Sequence, residues 1–424
     1  MSISVTVKKI QLSEFGKVLL RFASAQIVSN FLRLISGFLV VRAIDPEMYG
    51  RFTGIGIYMG YLLLGHGGII NGLGRELPFE LGKKNDSYAK ELASSVYSLS
   101  IGLSMLFALF FVGLSLYYFI YNHTILAAIC LSYVIIGGLN LLNQQFLPVL
   151  YRTNKDFDSL SKQDIRFGIG NLASVLLVYY FGLYGLIARG IFLAIYQFVL
   201  LFRNKPYPLK IKFHFSHFKK LFKTGLPIFM VGQVNPLWAT VMNNIIFSVG
   251  SAASFGLFSL STIVQGAIGI IPASFSSIIY PRMAIMLGEG KPVKKILSSN
   301  YKAVSFQFLV MLVIASLGCW LLPFIVPIIL PKYVDGIRAA QWMLFVPVAQ
   351  SLGALNNIYN VVKKQFWYFI SLCSGAIVGS LYTYIRLKHG FLLEIFSQGL
   401  FLGVAVQQIL SLILINFSIR HIDE

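Results

Sequence analysis

Long apolar runs return every few dozen residues along this chain, and that recurrence constrains its fold more than any motif does. Twelve such runs are read, at 18–41, 49–74, 92–121, 124–150, 165–182, 184–202, 225–249, 254–280, 303–326, 337–361, 365–387 and 391–417. A helix crosses a hydrocarbon core of about 30 Å with some 20 apolar residues, because each residue rises 1.5 Å. Only 12% of the 424 residues are charged and 57% are hydrophobic, giving a mean hydropathy of +0.75. Soluble domains carry about twice that share of charge. The expectation is an all-α polytopic membrane protein with twelve transmembrane helices and no globular domain.

The formal charge of +20 would suit a nucleic-acid partner if it formed one patch, but it is dispersed through short links. Links on one side of the expected membrane, with the N-terminal stretch counted to Arg21, hold 27 of the 35 Lys and Arg. The positive-inside rule then places that side, and both termini, in the cytoplasm. Merging 165–202 into one span would throw the seven cations of 203–224 to the other side and destroy the bias. The outer links are too short to hold a catalytic domain. Met1 to Lys17 reads as an amphipathic lead-in on the membrane surface and lacks the pattern of a cleaved signal. Cys130, Cys319 and Cys373 each sit in an apolar run without metal-ligand spacing, so neither a disulfide framework nor a metal is expected.

Residues 17–91 and 223–297 are weakly self-similar at an offset of 206, which sets Gly50 on Gly256, Phe52 on Phe258 and Gly82 on Gly288. Each half then has six spans and starts on the same side, as in a parallel repeat. Two six-helix lobes, 1–205 and 206–424, are expected. Glycines such as Gly50, Gly54, Gly56 and Gly60 read as close-packing positions between helices.

No phosphate-binding loop is present, so the chain is not expected to hydrolyse ATP; no cofactor and no catalytic residue are expected. His214 and His217 form an H-x-x-H on a basic link without an acidic neighbour, and metal binding is not expected there. All fifteen Asp and Glu are read as lying in links or at span ends. That argues against a pump for cations, which buries carboxylates inside helices.

Cations do occur at depth. Arg33 lies near the middle of span 1 and Arg189 about two turns into span 6. An intramembrane Arg costs about 2.5–3.5 kcal/mol on insertion scales, so it faces a wet cavity or a partner. Gln26, Asn30 and Arg33 share one face of span 1, and Gln233, Thr240 and Asn244 share one face of span 7. Pro227 and Pro236 are expected to bend or break span 7. The two polar faces are read as lining a hydrated cavity, the alternative being interhelical hydrogen bonding. His66 is read either as lining that space or as a packed imidazole. Asn140, Asn143, Gln144, Gln350 and Asn357 are similarly ambiguous. Unpaired guanidinium and amide groups suit an anionic, hydrogen-bond-rich cargo, and the planar fork of Arg suits diphosphate.

The order of several short motifs resembles the Wzx-type polysaccharide-repeat flippases of the multidrug/oligosaccharidyl-lipid/polysaccharide exporter superfamily. These are the stretch Val41 to Gly50 with its Arg42, Asp45, Pro46 and Tyr49, and Gly67-Gly68-Ile69-Ile70-Asn71-Gly72 running on to Gly74-Arg75-Glu76. Thr224-Gly225-Leu226-Pro227, Tyr280-Pro281-Arg282 and Leu330-Pro331-Lys332-Tyr333 follow. The resemblance covers essentially the whole chain. It implies a MATE-like pair of six-helix lobes and translocation of an undecaprenyl-diphosphate-linked sugar repeat, O-antigen or a related polysaccharide, between the leaflets of a bacterial inner membrane. Polymerase and chain-length regulator of the same pathway are the implied partners. Arg33 and Arg189 are candidates for the diphosphate by depth and charge. Gln26, Asn30, His66, Gln233, Thr240 and Asn244 are candidates for the polar lining. The alternatives are a polymerase, which should carry large outer loops, and a small-molecule exporter, which should bury carboxylates.

Overall fold

The computed structural model describes residues 24–154, 156–362 and 364–420. The expected surface lead-in over Met1 to Lys17 lies outside these residues. Among the described residues every regular element is a helix. In chain order they are α1 Ser24–Ala43, α2 Pro46–Leu62, α3 Ile69–Gly82, α4 Asp86–Ile120, α5 Thr124–Leu141, α6 Leu147–Thr153, α7 Phe157–Ala173 and α8 Val175–Arg203. They continue with α9 Phe215–Ile245, α10 Ala252–Gly288, α11 Val293–Ile329, α12 Ile337–Met343, α13 Phe345–Ser351, α14 Asn357–Val361, α15 Gln365–Leu387 and α16 Glu394–Arg420.

Local chemistry sets the boundaries. Asn85 Oδ1 accepts from the Tyr88 amide (3.4 Å) to start α4, and Asp156 Oδ1 accepts from the Ser159 amide (3.2 Å) to start α7. Pro46 opens α2, where its missing N–H costs nothing. Between α2 and α3 the chain bends by 50° at Gly67 and Gly68, whose φ of 52° and 86° lie in the left-handed region that favours glycine. The α-ladder also departs from regularity in a π turn at Leu142–Phe146 and a 3-10 turn at Leu352–Asn356. α9 runs without interruption past Pro227 and Pro236, so the expected break there is absent.

Eight described helices are long and apolar enough to cross a membrane, or nine if the bent pair α2 and α3 forms one span. The chain is a multi-pass membrane protein. The sharpest expected boundary, between 182 and 184, falls at Gly182 inside α8, with φ 55° and ψ −125°. Past it the chain doubles back, so that a Cβ on Gly185 would lie 1.8 Å from the Leu177 carbonyl oxygen. L-residues do not adopt that backbone at Gly182 without strain of about 1–3 kcal/mol. Gly182→Ala is therefore expected to lower the Tm of the purified protein by several degrees, although nothing lies within 4 Å of its new methyl. An unchanged Tm would show that the reversal lies elsewhere.

The chain forms two compact units: residues up to Ala43 with Tyr61–Phe229, and Ile44–Gly60 with Met230–Glu424. The first is centred on Leu77, Leu92, Phe146 and Tyr151, all fully buried. Here Gly68 and Gly225 meet backbone to backbone, a Cβ on Gly225 falling 1.9 Å from the Gly68 oxygen. Lys220 adds an ion pair to Glu76 at 3.1 Å and another to Glu80 at 3.3 Å.

The second unit has a cluster around Ile296, Leu355 and Tyr359. In it α2 crosses α10 at Gly50 and Gly256. A Cβ on Gly50 would lie 1.7 Å from the Ala252 oxygen, and one on Gly256 would lie 1.7 Å from the Pro46 oxygen. The two contacts exchange under the offset of 206. Nearby, Asp45 pairs with Lys332 at 2.6 Å, and the Tyr333 hydroxyl donates to the Ile44 oxygen at 3.4 Å.

Candidate functional site

In the first unit, the polar face of α1 lies against α7 and α8. Gln26, Ser29, Arg33 and Ser36 come from α1, Asp164, Phe167 and Asn171 from α7, and Arg189 from α8. Helical spacing brings them into register, because residues 26, 29, 33 and 36 follow one stripe and residues 164, 167 and 171 follow another.

Asp164 organises one end of this seam. Its carboxylate accepts from the Gln26 amide and pairs with Arg33 at 3.7 Å, while its backbone oxygen accepts from Ser29 Oγ at 2.8 Å. Arg33 lies over the Phe167 ring at 4.9 Å, a cation–π contact, and its buried Nε has no hydrogen-bond partner. One turn further, Ser36 Oγ donates to the Asn171 oxygen at 2.9 Å. Arg189 Nη2 donates to Ser36 Oγ at 3.0 Å and to Asn171 Oδ1 at 2.8 Å.

The seam corrects one expectation. Asp164 is a carboxylate inside a helix, with only 18% of its side chain exposed, and it neutralises Arg33 in part. Hydropathy missed it because Phe157 to Arg166 has only three apolar residues, Phe157, Leu160 and Ile165, and that stretch reads as a link. Interhelical bonding accounts for Gln26 and for part of Arg33 and Arg189. Yet 36% of the Arg33 side chain stays exposed.

The remaining candidates fall as follows. Asn30 is half-buried on α1, beside the seam. His66 is buried in the α2–α3 bend, where Nδ1 accepts from the Gly68 amide at 3.1 Å and the ring meets Phe229 edge-on at 4.8 Å. It holds the turn. Gln233, Thr240 and Asn244 belong to the second unit. Thr240 Oγ1 donates to the Pro236 oxygen at 2.8 Å and sits against Gly60 of α2. Gln233 is half-buried and Asn244 exposed. At the start of α9, His217 Nδ1 lies 2.9 Å from Ser95 Oγ. Burial, with repulsion from His214 added, pushes that imidazole below its ordinary pKa range. Among the described residues no group of three or more His, Cys, Asp or Glu is placed to hold a metal ion.

A family model described as polysaccharide biosynthesis protein matches residues 78–332, more than half of the chain. The chain belongs to that family. Solved structures show the fold its helices adopt. A MATE crystallised in complex with MaD3S superposes with a TM-score of 0.63 at 14% identity, covering 96% of each chain. An outward-facing multidrug resistance MATE family transporter of the MOP superfamily gives 0.62 at 14% identity and 96% of each chain. A MOP superfamily transporter from Pyrococcus furiosus, described as having a binding pocket of reverse polarity, gives the same values, 0.62, 14% and 96%. No curated protein matches the chain. This polysaccharide biosynthesis family member thus has a MATE-type helical architecture.

Proposed function

We propose that the chain is a Wzx-type flippase that moves undecaprenyl-diphosphate-linked oligosaccharide repeats, O-antigen or a related polysaccharide, from the cytoplasmic to the periplasmic leaflet by alternating access. Twelve spans in two repeated halves, 1–205 and 206–424, with both termini in the cytoplasm of a bacterial inner membrane, complete the reading. The observation that carries it is the combination of a polysaccharide-biosynthesis family match with a chain given over almost wholly to membrane helices of MATE type. A lipid-linked cargo needs both its lipid tail and its charged head accommodated, and helices in lipid supply the first directly.

The seam supports the second. Arg33, one-third exposed beside Asp164, and Arg189, held by Ser36 and Asn171, would meet the diphosphate oxygens. Asn30, Gln233, Thr240 and Asn244 remain polar positions for the sugars, whereas Gln26 and His66 serve the seam and the bend. A polymerase and a chain-length regulator would act on the delivered repeat.

The test follows the lipid-linked repeat in inside-out membrane vesicles with and without the protein. Protection of the sugar in the lumenal leaflet is expected only when the protein is present. Arg189→Ala is expected to reduce it at least tenfold, as loss of a charge-assisted pair of bonds would. Equal protection in vesicles lacking the protein would sink the reading.

A further inference from the structure

Away from the arginine seam, the second unit encloses a recess of about 260 Å³ lined by Asn235 of α9, Ser276 of α10, Gln350 of α13, Tyr368 of α15, and Gln407 and Gln408 of α16. Among the described residues none that lines it is charged. Gln407 is 2% exposed and its Oε1 has no hydrogen-bond partner; nor has the buried Oδ1 of Asn235. Other members are fixed. Gln408 Oε1 accepts from Asn356 Nδ2 at 2.7 Å, Asn356 Oδ1 accepts from Ser411 Oγ at 2.6 Å, and Asn357 Nδ2 donates to Ser276 Oγ at 2.8 Å. The recess therefore combines a locked polar frame with two buried acceptors that lack donors, a costly arrangement unless something supplies them.

A smaller recess of about 160 Å³ lies in the first unit. Five of its lining residues are Asn140, Asn143, Gln144, Ala194 and Gln197. Adding 210 to each gives Gln350, Gly353, Ala354, Val404 and Gln407, all of which line the larger recess. Two helix distortions share the same offset, the π turn Leu142–Phe146 and the 3-10 turn Leu352–Asn356. The wall is alike within two residues of that offset: Tyr151 donates to the Leu201 oxygen at 2.7 Å, and Tyr359, 208 positions on, to that of Ser411 at 2.7 Å. The two recesses are one feature of the repeat in two states of filling. In the first unit Gln144 bonds to Gln197 at 3.1 Å and Asn143 to the Ala194 oxygen at 2.8 Å, which narrows the space. In the second, Gly353 and Ala354 stand at those positions, and the space is open.

We propose that the recess of the second unit is a carbohydrate subsite that seats one neutral sugar ring of the cargo, and that its counterpart in the first unit is narrowed by its own amides. The inference rests on the flippase reading for its ligand. An uncharged lining would leave phosphate without a counter-charge, so the diphosphate does not belong there. Amide groups donate and accept at once, as sugar hydroxyls do; the Gln407 side chain already meets the Tyr368 hydroxyl, and the acceptors Asn235 Oδ1 and Gln407 Oε1 stay open to a ligand that brings O–H donors. The volume lies below the roughly 300–1,000 Å³ of pockets for drug-sized ligands, which suits a single ring.

The test uses full-length protein in nanodiscs and two lipids, undecaprenyl diphosphate with and without the sugar repeat. Gln407→Leu is expected to weaken binding of the sugar-bearing lipid about tenfold and to leave the bare lipid unchanged. Gly353→Asn, which fills the recess from another helix, should give the same selective loss. Equal losses for both lipids, or none for either, would overturn the subsite. Should wild type bind neither lipid, the flippase reading fails, and free glucose, galactose and N-acetylglucosamine then decide the subsite. A rise in Tm that disappears in Gln407→Leu supports it, and no rise shows a recess that holds only water.

Discussion

Gly50→Ala and Gly256→Ala are expected to remove most of the folded protein from the membrane, although each adds a single methyl group. At both sites the new carbon would fall 1.7 Å from a backbone carbonyl oxygen of the facing helix. A backbone cannot rotate aside as a flexible side chain does, so α2 and α10 must separate along their whole crossing. Overpacking of side chains costs about 1–3 kcal/mol, and a helix pair forced apart should reach on the order of 3 kcal/mol or more. In lipid that loss has no hydrophobic compensation, because close contact itself holds helices together. Gly102→Ala in α4 is the control, since nothing lies within 4 Å of its added methyl and alanine is the better helix former. Size-exclusion profiles of detergent extracts should show a monodisperse peak for Gly102→Ala and little or none for the other two. Normal peaks for Gly50→Ala and Gly256→Ala would refute the close crossing.

The same crossing explains what short motifs report. Gly50 and Asp45 of one motif meet α10 and Lys332 of another, and Gly68 and Glu76 meet Gly225 and Lys220 in the other unit. Motifs far apart in sequence are thus paired surfaces, and their order carries the fold rather than the cargo. That is why helix positions were legible from apolar period, charge asymmetry and glycine, down to the reversal at Gly182. The site was less legible, because a hydrophobic window averages away single polar residues. Asp164 was hidden in an amphipathic turn, and the adjacent Gln407 and Gln408 were passed over inside an apolar run. The stripe Asp164, Phe167 and Asn171 carried a helical signal, but only the fold shows which helix it faces. Arg33 and Arg189 stood out because a charge in lipid demands a partner. The sequence did not say that the partners would be Asp164 and Asn171.

Arg33 and Asp164 supply the second large effect, through a double-mutant cycle. Asp164→Ala removes the carboxylate and leaves the guanidinium with a cation–π contact alone. Breaking a fully buried pair costs about 3–5 kcal/mol, and the 36% exposure of Arg33 brings the expected loss to about 2 kcal/mol. Arg33→Ala leaves Asp164 with the Gln26 amide and should cost less. Removing both deletes charge and counter-charge together, so the double variant should be more stable than the sum of the singles predicts. Transport separates the two roles of Arg33 more sharply than stability does. If the guanidinium meets the diphosphate, Arg33→Ala and the double variant both lose flipping by at least tenfold, whereas Asp164→Ala retains it with a fork relieved of its competitor. If Arg33 only joins α1 to α7, the double variant flips at least as well as Arg33→Ala, and better in proportion to its recovered stability. A double variant with wild-type flipping would therefore sink the diphosphate role of Arg33 and leave Arg189 as the cationic contact of the seam.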